Sequence, residues 1–258
     1  MSQVEVVVHA TPDLLAKAVA ARLVVRLVDA QAATGSASVV LTGGGIGIAV
    51  LRELRDNPAR DAVDWRRVDI WWGDERFLPA GHKERNDVQA REALLDSVPL
   101  DPARVHPYPT ADGPAGDDPE AAAELYAQEL AAAARPEDHG DVPQFDVLML
   151  GVGEEGHVAS IFPESPAAYD ERTVVAVRGC PKPPPVRLSL TFGAISRASE
   201  VWLLVAGSAK APAVALALGG AGQVQVPAAG ARGRRTLWLL DRAAAARLPA
   251  NVTRLPLA

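Results

Sequence analysis

Cysteine appears once, at Cys180, so no disulfide can close within the chain. Cys180 stands in a Gly-Cys-Pro stretch with no base beside it and reads as structural rather than nucleophilic. Long basic runs are missing and the formal net charge is −6. Nucleic acid and anionic membranes are therefore not expected as partners. No window holds ~18 uncharged apolar residues, so no membrane-spanning helix is expected. Met1 to Glu5 carry no basic segment followed by an apolar one; the expectation is a protein without a secretory leader, soluble in the cytoplasm. The cysteine and the histidines are too scattered for a zinc site. No Gly-Lys-Ser/Thr follows any glycine turn, and the spacing of a dinucleotide fingerprint is not met, which argues against a nucleotide-binding switch.

What is present is ordinary globular material: 258 residues, 48% hydrophobic and 22% charged. That length suffices for one α/β domain over residues 1–258. Apolar runs of strand length recur at Val4–His9, Ala37–Leu41, Val68–Trp72, Phe145–Leu150, Thr173–Val177, Val186–Phe192, Glu200–Ala206 and Thr236–Leu240, with a short strand over Arg104–Tyr108. Helical stretches alternate with them. One starts at Thr11-Pro12-Asp13, an N-cap with proline at the first helical position, and reaches Ala33. Others lie at about 48–56, 87–95, 119–134 and 211–218, and Asp241 is expected to cap a short last helix. This alternation predicts a doubly wound, mainly parallel sheet flanked by helices, Rossmann-like and three-layered.

Four chemistry-rich loops follow strands: 42–47, 73–76, 151–157 and 207–210. Right-handed crossovers place them on one rim, where open α/β sheets bind ligands. Thr42-Gly43-Gly44-Gly45-Ile46-Gly47 reads as an anion cradle of backbone N–H groups and the Thr42 hydroxyl, or as a plain glycine turn. Asp74-Glu75-Arg76 reads as an anion grip or as a surface ion-pair cluster. Arg187 and Lys210 flank the late strands; each alone is a solvated cation, and together at one rim they suit a phosphate. Gly151-Val152-Gly153-Glu154-Glu155-Gly156-His157 places an imidazole at a strand's carboxyl end, with a short helical segment expected to follow. His157 is the candidate general base, since an unperturbed imidazole titrates near ~6.5, and Glu155 is its candidate orienting carboxylate. His9, His82, His106 and His139 have no such setting.

Read together, these residues carry a resemblance. Thr42-Gly43-Gly44, Gly73-Asp74-Glu75-Arg76, Gly151-x-Gly153-x-x-Gly156-His157-x-Ala159-Ser160-x-Phe162-Pro163, Arg187-x-Ser189-Leu190-Thr191 and Gly207-x-x-Lys210-Ala211 occur in order. The chain resembles the glucosamine-6-phosphate isomerase/6-phosphogluconolactonase superfamily over about residues 5–245, and its lactonase branch in particular. The resemblance implies hydrolysis of 6-phosphogluconolactone in the oxidative pentose phosphate pathway, without cofactor or metal. It implies His157 as the base acting on water, Arg76 stabilising charge and Asp74 organising the rim. Thr42, Gly43, Gly44, Gly45, Arg187 and Lys210 would surround the phosphate, and Asn86 matches an asparagine after the Asp-Glu-Arg element. Its only implied partner is a sugar-phosphate lactone, with the chain a monomer or weak homodimer.

Two departures stand out. Gly45-Ile46-Gly47 replaces a commoner Ser-Thr-Pro, which removes a hydroxyl, and Glu155 stands where Asp is usual. The aminosugar-phosphate deaminases of the same superfamily place a glutamate five residues after the histidine, for ring opening; here that position is Phe162, with Glu164 two residues later. A sugar-phosphate sensor is the third reading, and it carries a DNA-binding module for which neither end is expected to leave room.

Overall fold

The computed structural model describes residues 3–138, 140–250, 252, 254 and 255. In chain order the elements are β1 (Gln3–His9), α1 (Pro12–Thr34), β2 (Ala37–Leu41), α2 (Gly44–Asp56), β3 (Val68–Trp72), β4 (Asp74–Arg76), α3 (Asn86–Ala93), α4 (Pro119–Ala133), β5 (Val147–Gly151), β6 (Val174–Val177), β7 (Arg187–Leu190), α5 (Phe192–Ile195), β8 (Glu200–Val205), α6 (Ala211–Leu218), β9 (Arg235–Asp241) and β10 (Arg254–Leu255). Seven strands form one sheet in the order β10-β1-β9-β8-β5-β2-β3, and every recorded pairing in it is parallel. Parallelism is why these strands read as unbroken apolar runs: β8 is buried at all six positions. No helix among the described residues is long and apolar enough to cross a membrane.

The Thr11 hydroxyl caps α1, accepting from Leu14 N at 3.2 Å, as the sequence predicts. Leu15, Val19, Leu23 and Leu27 recur every four residues on its buried face. Helices α1 and α2 pack together and onto the main sheet, whereas α4 packs against β6 and β7. An aromatic cluster ties α4 to β3. The Tyr108 and Tyr126 rings stack at 3.7 Å, and Tyr126 Oη accepts from Trp72 N at 3.3 Å while donating to His106 O at 3.1 Å.

The structure departs from expectation at several points. Asp74–Arg76 is a strand, not a loop. It pairs antiparallel with β7, and β7 with β6, giving a second sheet in the order β4-β7-β6. Thr173–Val177 and Val186–Phe192 are thus strands as expected, but outside the parallel sheet. Strand periodicity carries no information about which sheet a strand joins. Arg104–Tyr108 reduces to one bridge, Ile70 with Val105. The segment after Gly156 is not helical: Val158 bridges to Val152 and Ile161, Ala159 takes φ 48°, and Pro163 supplies no N–H. Asp241 does cap, accepting from Ala244 N at 2.7 Å, but turns rather than a helix follow.

His106, expected to have no special setting, stacks on Trp71 at 3.8 Å, with Nδ1 2.6 Å from Glu129 and Nε2 3.7 Å from Asp69. Burial opposes its protonation, but the two carboxylates outweigh that and raise its pKa. It belongs to the α4–β3 connection. His139 lies outside the described residues.

Between β4 and α3 the chain is held by Arg85, whose side chain is 0% exposed. Its guanidinium donates to Asp87 Oδ1 at 2.8 Å, to Tyr108 O at 2.8 Å and to Leu78 O at 3.3 Å, and lies 3.9 Å from Glu75. Removing one member of such a buried pair strands the other charge. Arg85→Ala is expected to destabilise the protein by about 3–5 kcal/mol in urea unfolding. An unchanged midpoint would show that water replaces the guanidinium at no cost.

Candidate active site

At the carboxyl ends of β2, β3, β5 and β8 the chain encloses a cavity of about 560 Å³. Thr42, Gly43, Gly44, Gly45, Asp74, Arg76, Asn86, His157, Arg187 and Lys210 all line it. Of the residues picked from the sequence only Glu155 stands behind the wall. Asp13 and Glu53, not anticipated, line it too, so carboxylates as well as cations face the space.

The glycine turn opens α2, whose N-terminus has no side-chain cap. Its first amides and the positive end of the helix dipole therefore favour an anion. The Thr42 hydroxyl, on the cavity wall, also ties two strand ends together. It accepts from Gly151 N at 3.1 Å and lies 3.4 Å from Gly43 O, tying the end of β2 to that of β5. Gly43 is required by close approach, since a Cβ there would collide with the Asn86 amide.

Asn86 is buried and fully engaged. Its Oδ1 accepts from Arg76 Nη1 at 2.8 Å, and its Nδ2 donates to Asp74 O at 2.8 Å. Arg76 Nη1 also reaches Glu84 O at 2.8 Å. Glu75 faces away from the cavity. Its carboxylate accepts from the amides of Arg76, Asn86 and Asp87 at 2.8, 2.7 and 3.0 Å, clamping β4 to the start of α3. Burial pushes its carboxyl up, against the pull of Arg85 and the amides of Asn86 and Asp87. Asp74 accepts from Ser160 Oγ at 2.7 Å, while Ser160 N donates to Ser189 Oγ at 3.1 Å. These serines join the Gly-His loop to the second sheet; 86 positions separate Ser160 from Asp74, so no local pattern exposes the pair.

Arg76 and Arg187 are direct cross-strand partners in the β4–β7 ladder. Like charges at such positions repel. The Arg187 guanidinium donates to the carbonyls of Lys182, Pro183 and Pro184 at 3.1, 3.1 and 3.3 Å. Lys210 comes from the β8–α6 turn, where Gly207 N is held by the Asp241 carboxylate at 3.1 and 3.2 Å. Burial lowers the pKa of Lys210, and the nearby Lys182 ammonium adds to that. Among the described residues, none of these three cavity cations forms an ion pair with a carboxylate; neutral carbonyl and amide oxygens hold the two arginines.

Across the cavity, the His157 imidazole lies against Phe162 with ring centroids 4.6 Å apart and crosses the backbone at Gly153, where a Cβ would collide with it. Its Nδ1 sits 3.0 Å from Glu155 Oε1. The geometry of that contact is not that of an aligned hydrogen bond. It nonetheless holds Glu155 well below the usual carboxylate range, against the upward push of burial and with help from Lys182. Nε2 is the ring nitrogen that Glu155 does not engage.

Residues 10–238 match the family model described as glucosamine-6-phosphate isomerases/6-phosphogluconolactonase. The chain belongs to this family. It is 63% identical over 250 residues to a 6-phosphogluconolactonase of Streptomyces coelicolor, covering 96% of each chain. It is 54% identical over 239 residues to that of Mycobacterium tuberculosis, covering 92% of this chain and 95% of the relative. The solved 6-phosphogluconolactonase of Trypanosoma brucei superposes with a TM-score of 0.81 at 28% identity, over 96% of this chain and 100% of that one.

The Asn86–Arg76 contact depends on the missing side chain at position 43. Gly43→Ala is expected to push the Asn86 amide aside and shift the glycine-turn amides, weakening binding of inorganic phosphate or a sugar phosphate by about tenfold, the worth of one charge-assisted hydrogen bond. Calorimetric titration with unchanged affinity would mean that the loop absorbs the methyl group.

Proposed function

We propose that this protein hydrolyses 6-phospho-D-glucono-1,5-lactone to 6-phospho-D-gluconate, the lactone step of the oxidative pentose phosphate pathway. One observation carries the reading: three cations with no carboxylate partner share a cavity with an imidazole that has one. The cationic side, with the uncapped start of α2, suits a dianionic phosphate. The imidazole side suits an ester carbon. The 63% identity to a 6-phosphogluconolactonase supports the choice of substrate.

In this reading Arg187, Lys210 and the amides of the glycine turn bind the phosphate and so fix where the ring lies. Nε2 of His157 takes a proton from water as the water oxygen bonds to the lactone carbonyl carbon. Glu155 stabilises the imidazolium. Arg76, held by Asn86 and Glu84, faces the negative charge that develops on the carbonyl oxygen. Collapse of the tetrahedral intermediate breaks the bond from that carbon to the ring oxygen, and the imidazolium returns its proton to the departing oxygen. The product acid then ionises. A lactone is an activated ester, so this route uses no covalent nucleophile. The setting proposed is the cytoplasm, with the chain as a monomer or weak homodimer.

Phe162 bears on the rival chemistry. It occupies the position of the deaminases' ring-opening glutamate and packs its ring on His157 instead. A coupled assay offering freshly made lactone beside glucosamine 6-phosphate separates the two activities; turnover of the aminosugar alone would reverse the assignment.

His157→Ala is expected to lower kcat by about 10²–10⁴-fold, the contribution of a general base, with the fold intact by circular dichroism. Unchanged turnover would remove the imidazole from the reaction. Lys210→Ala is expected to raise KM by about tenfold or more with little change in kcat, since the phosphate contact is the same in ground and transition states. A KM at the wild-type value would place the phosphate elsewhere.

A further inference from the structure

The loop from Gly179 to Val186, whose prolines the sequence marks only as non-helical, touches two site residues through one of its own. Lys182 accepts a hydrogen bond at its carbonyl from Arg187 Nη2 at 3.1 Å, and its ammonium reaches Glu155 Oε2 at 3.0 Å. The loop is closed at its base by Cys180 N donating to Pro185 O at 3.0 Å. Glu155 is thereby held at both oxygens, Oε1 against His157 and Oε2 against Lys182. Neither Glu155 nor Lys182 lies on the cavity wall, so the ammonium acts on the site through the carboxylate.

We propose that Lys182 is a positioning residue for the proposed hydrolysis: it fixes the Glu155 carboxylate against the base and tempers the negative charge that His157 feels, from the same loop that frames the phosphate-facing Arg187. This rests on lactone hydrolysis as the activity. The charge effect has a definite sign. Glu155 favours the imidazolium and Lys182 opposes it. The other charged groups that line the cavity are Asp74 and Arg76 from β4, Arg187 from β7, Lys210 from the β8–α6 turn, Asp13 and Glu53, with Glu154 close to Lys210, and none of them is replaced in this variant. Without the ammonium the proton is held more firmly, and the base is free only at higher pH.

Lys182→Met therefore moves the acid limb of the kcat profile upward by about 0.3–0.7 of a pH unit, the scale of a half-exposed ion pair. Below the limb's midpoint kcat falls by about two- to fivefold, while KM for the lactone stays near the wild-type value. Lys182→Arg restores most of the loss. Titration of the His157 ring by NMR in the substrate-free enzyme moves in the same direction in Lys182→Met, and it reads the ion pair whether or not the lactone is the substrate. An acid limb that stays put or moves down, with an unmoved ring titration, overturns the proposal. So does a raised KM at constant kcat, which would make Lys182 a direct contact to phosphate. A lost activity that arginine does not restore, together with a lowered melting temperature, would reduce Lys182 to support of the loop.

Discussion

Two guanidinium groups placed side by side on adjacent strands set the terms for this site. Arg76 and Arg187 are register partners, a pairing that costs free energy unless something negative comes between or near them. The protein does not relieve the repulsion with carboxylates. It holds Arg76 with an amide oxygen and a carbonyl, and Arg187 with three carbonyls. Such acceptors take up some of the N–H groups while leaving the charge in place, and Arg76 Nε is buried without a partner among the described residues. An anion placed near both groups would offset that repulsion.

The second sheet makes this juxtaposition. Gly73 stands where the chain leaves the parallel sheet: its N–H still donates to Leu41 O at 3.1 Å, and its carbonyl already accepts from Leu190 N at 2.9 Å. One residue on, β4 runs antiparallel to β7. A purely parallel sheet brings strand ends to a common rim but leaves each loop to find its own conformation. Pairing the Asp74–Arg76 segment with β7 converts one of those loops into a ladder with fixed register. Glu75, pointing the other way, locks that ladder to α3 through three amides. Alternation along a strand thus divides Asp74-Glu75-Arg76 into two residues for the cavity and one for the scaffold.

The sequence made the main architecture legible because both its signals are local. Apolar runs give parallel strands, and glycine-rich stretches after them give the rim loops. Ten of the eleven residues chosen from it line one cavity. What it did not reveal depends on distant partners. Asp74–Arg76, expected as a rim loop, is a strand because β7, more than a hundred residues on, offers an edge. That the Thr42 hydroxyl also accepts from Gly151 N has no local signature. Asn86 was matched by likeness, and nothing local shows that it also braces Arg76. Ser160 and Lys182 carry no local signature of their contacts with Asp74 and Glu155. Gly43 and Gly153 read as turn glycines, whereas each is small because a functional side chain crosses it.

The two halves of the cavity use opposite electrostatic designs, and that contrast fits the proposed chemistry. On the phosphate side the charge on the protein is permanent, so its supports are neutral and do not diminish it. On the base side the charge appears only as the imidazole takes a proton, so its support is a carboxylate, which stabilises the product of that transfer more than the starting state. A carboxylate left to itself would also favour the proton beforehand and hold the base in its spent form. A glutamate arm is one methylene longer than an aspartate's, and Lys182 meets the far oxygen of Glu155. The extra reach thus comes with a second anchor, so that a more flexible carboxylate is restrained in orientation and partly offset in charge at the same contact.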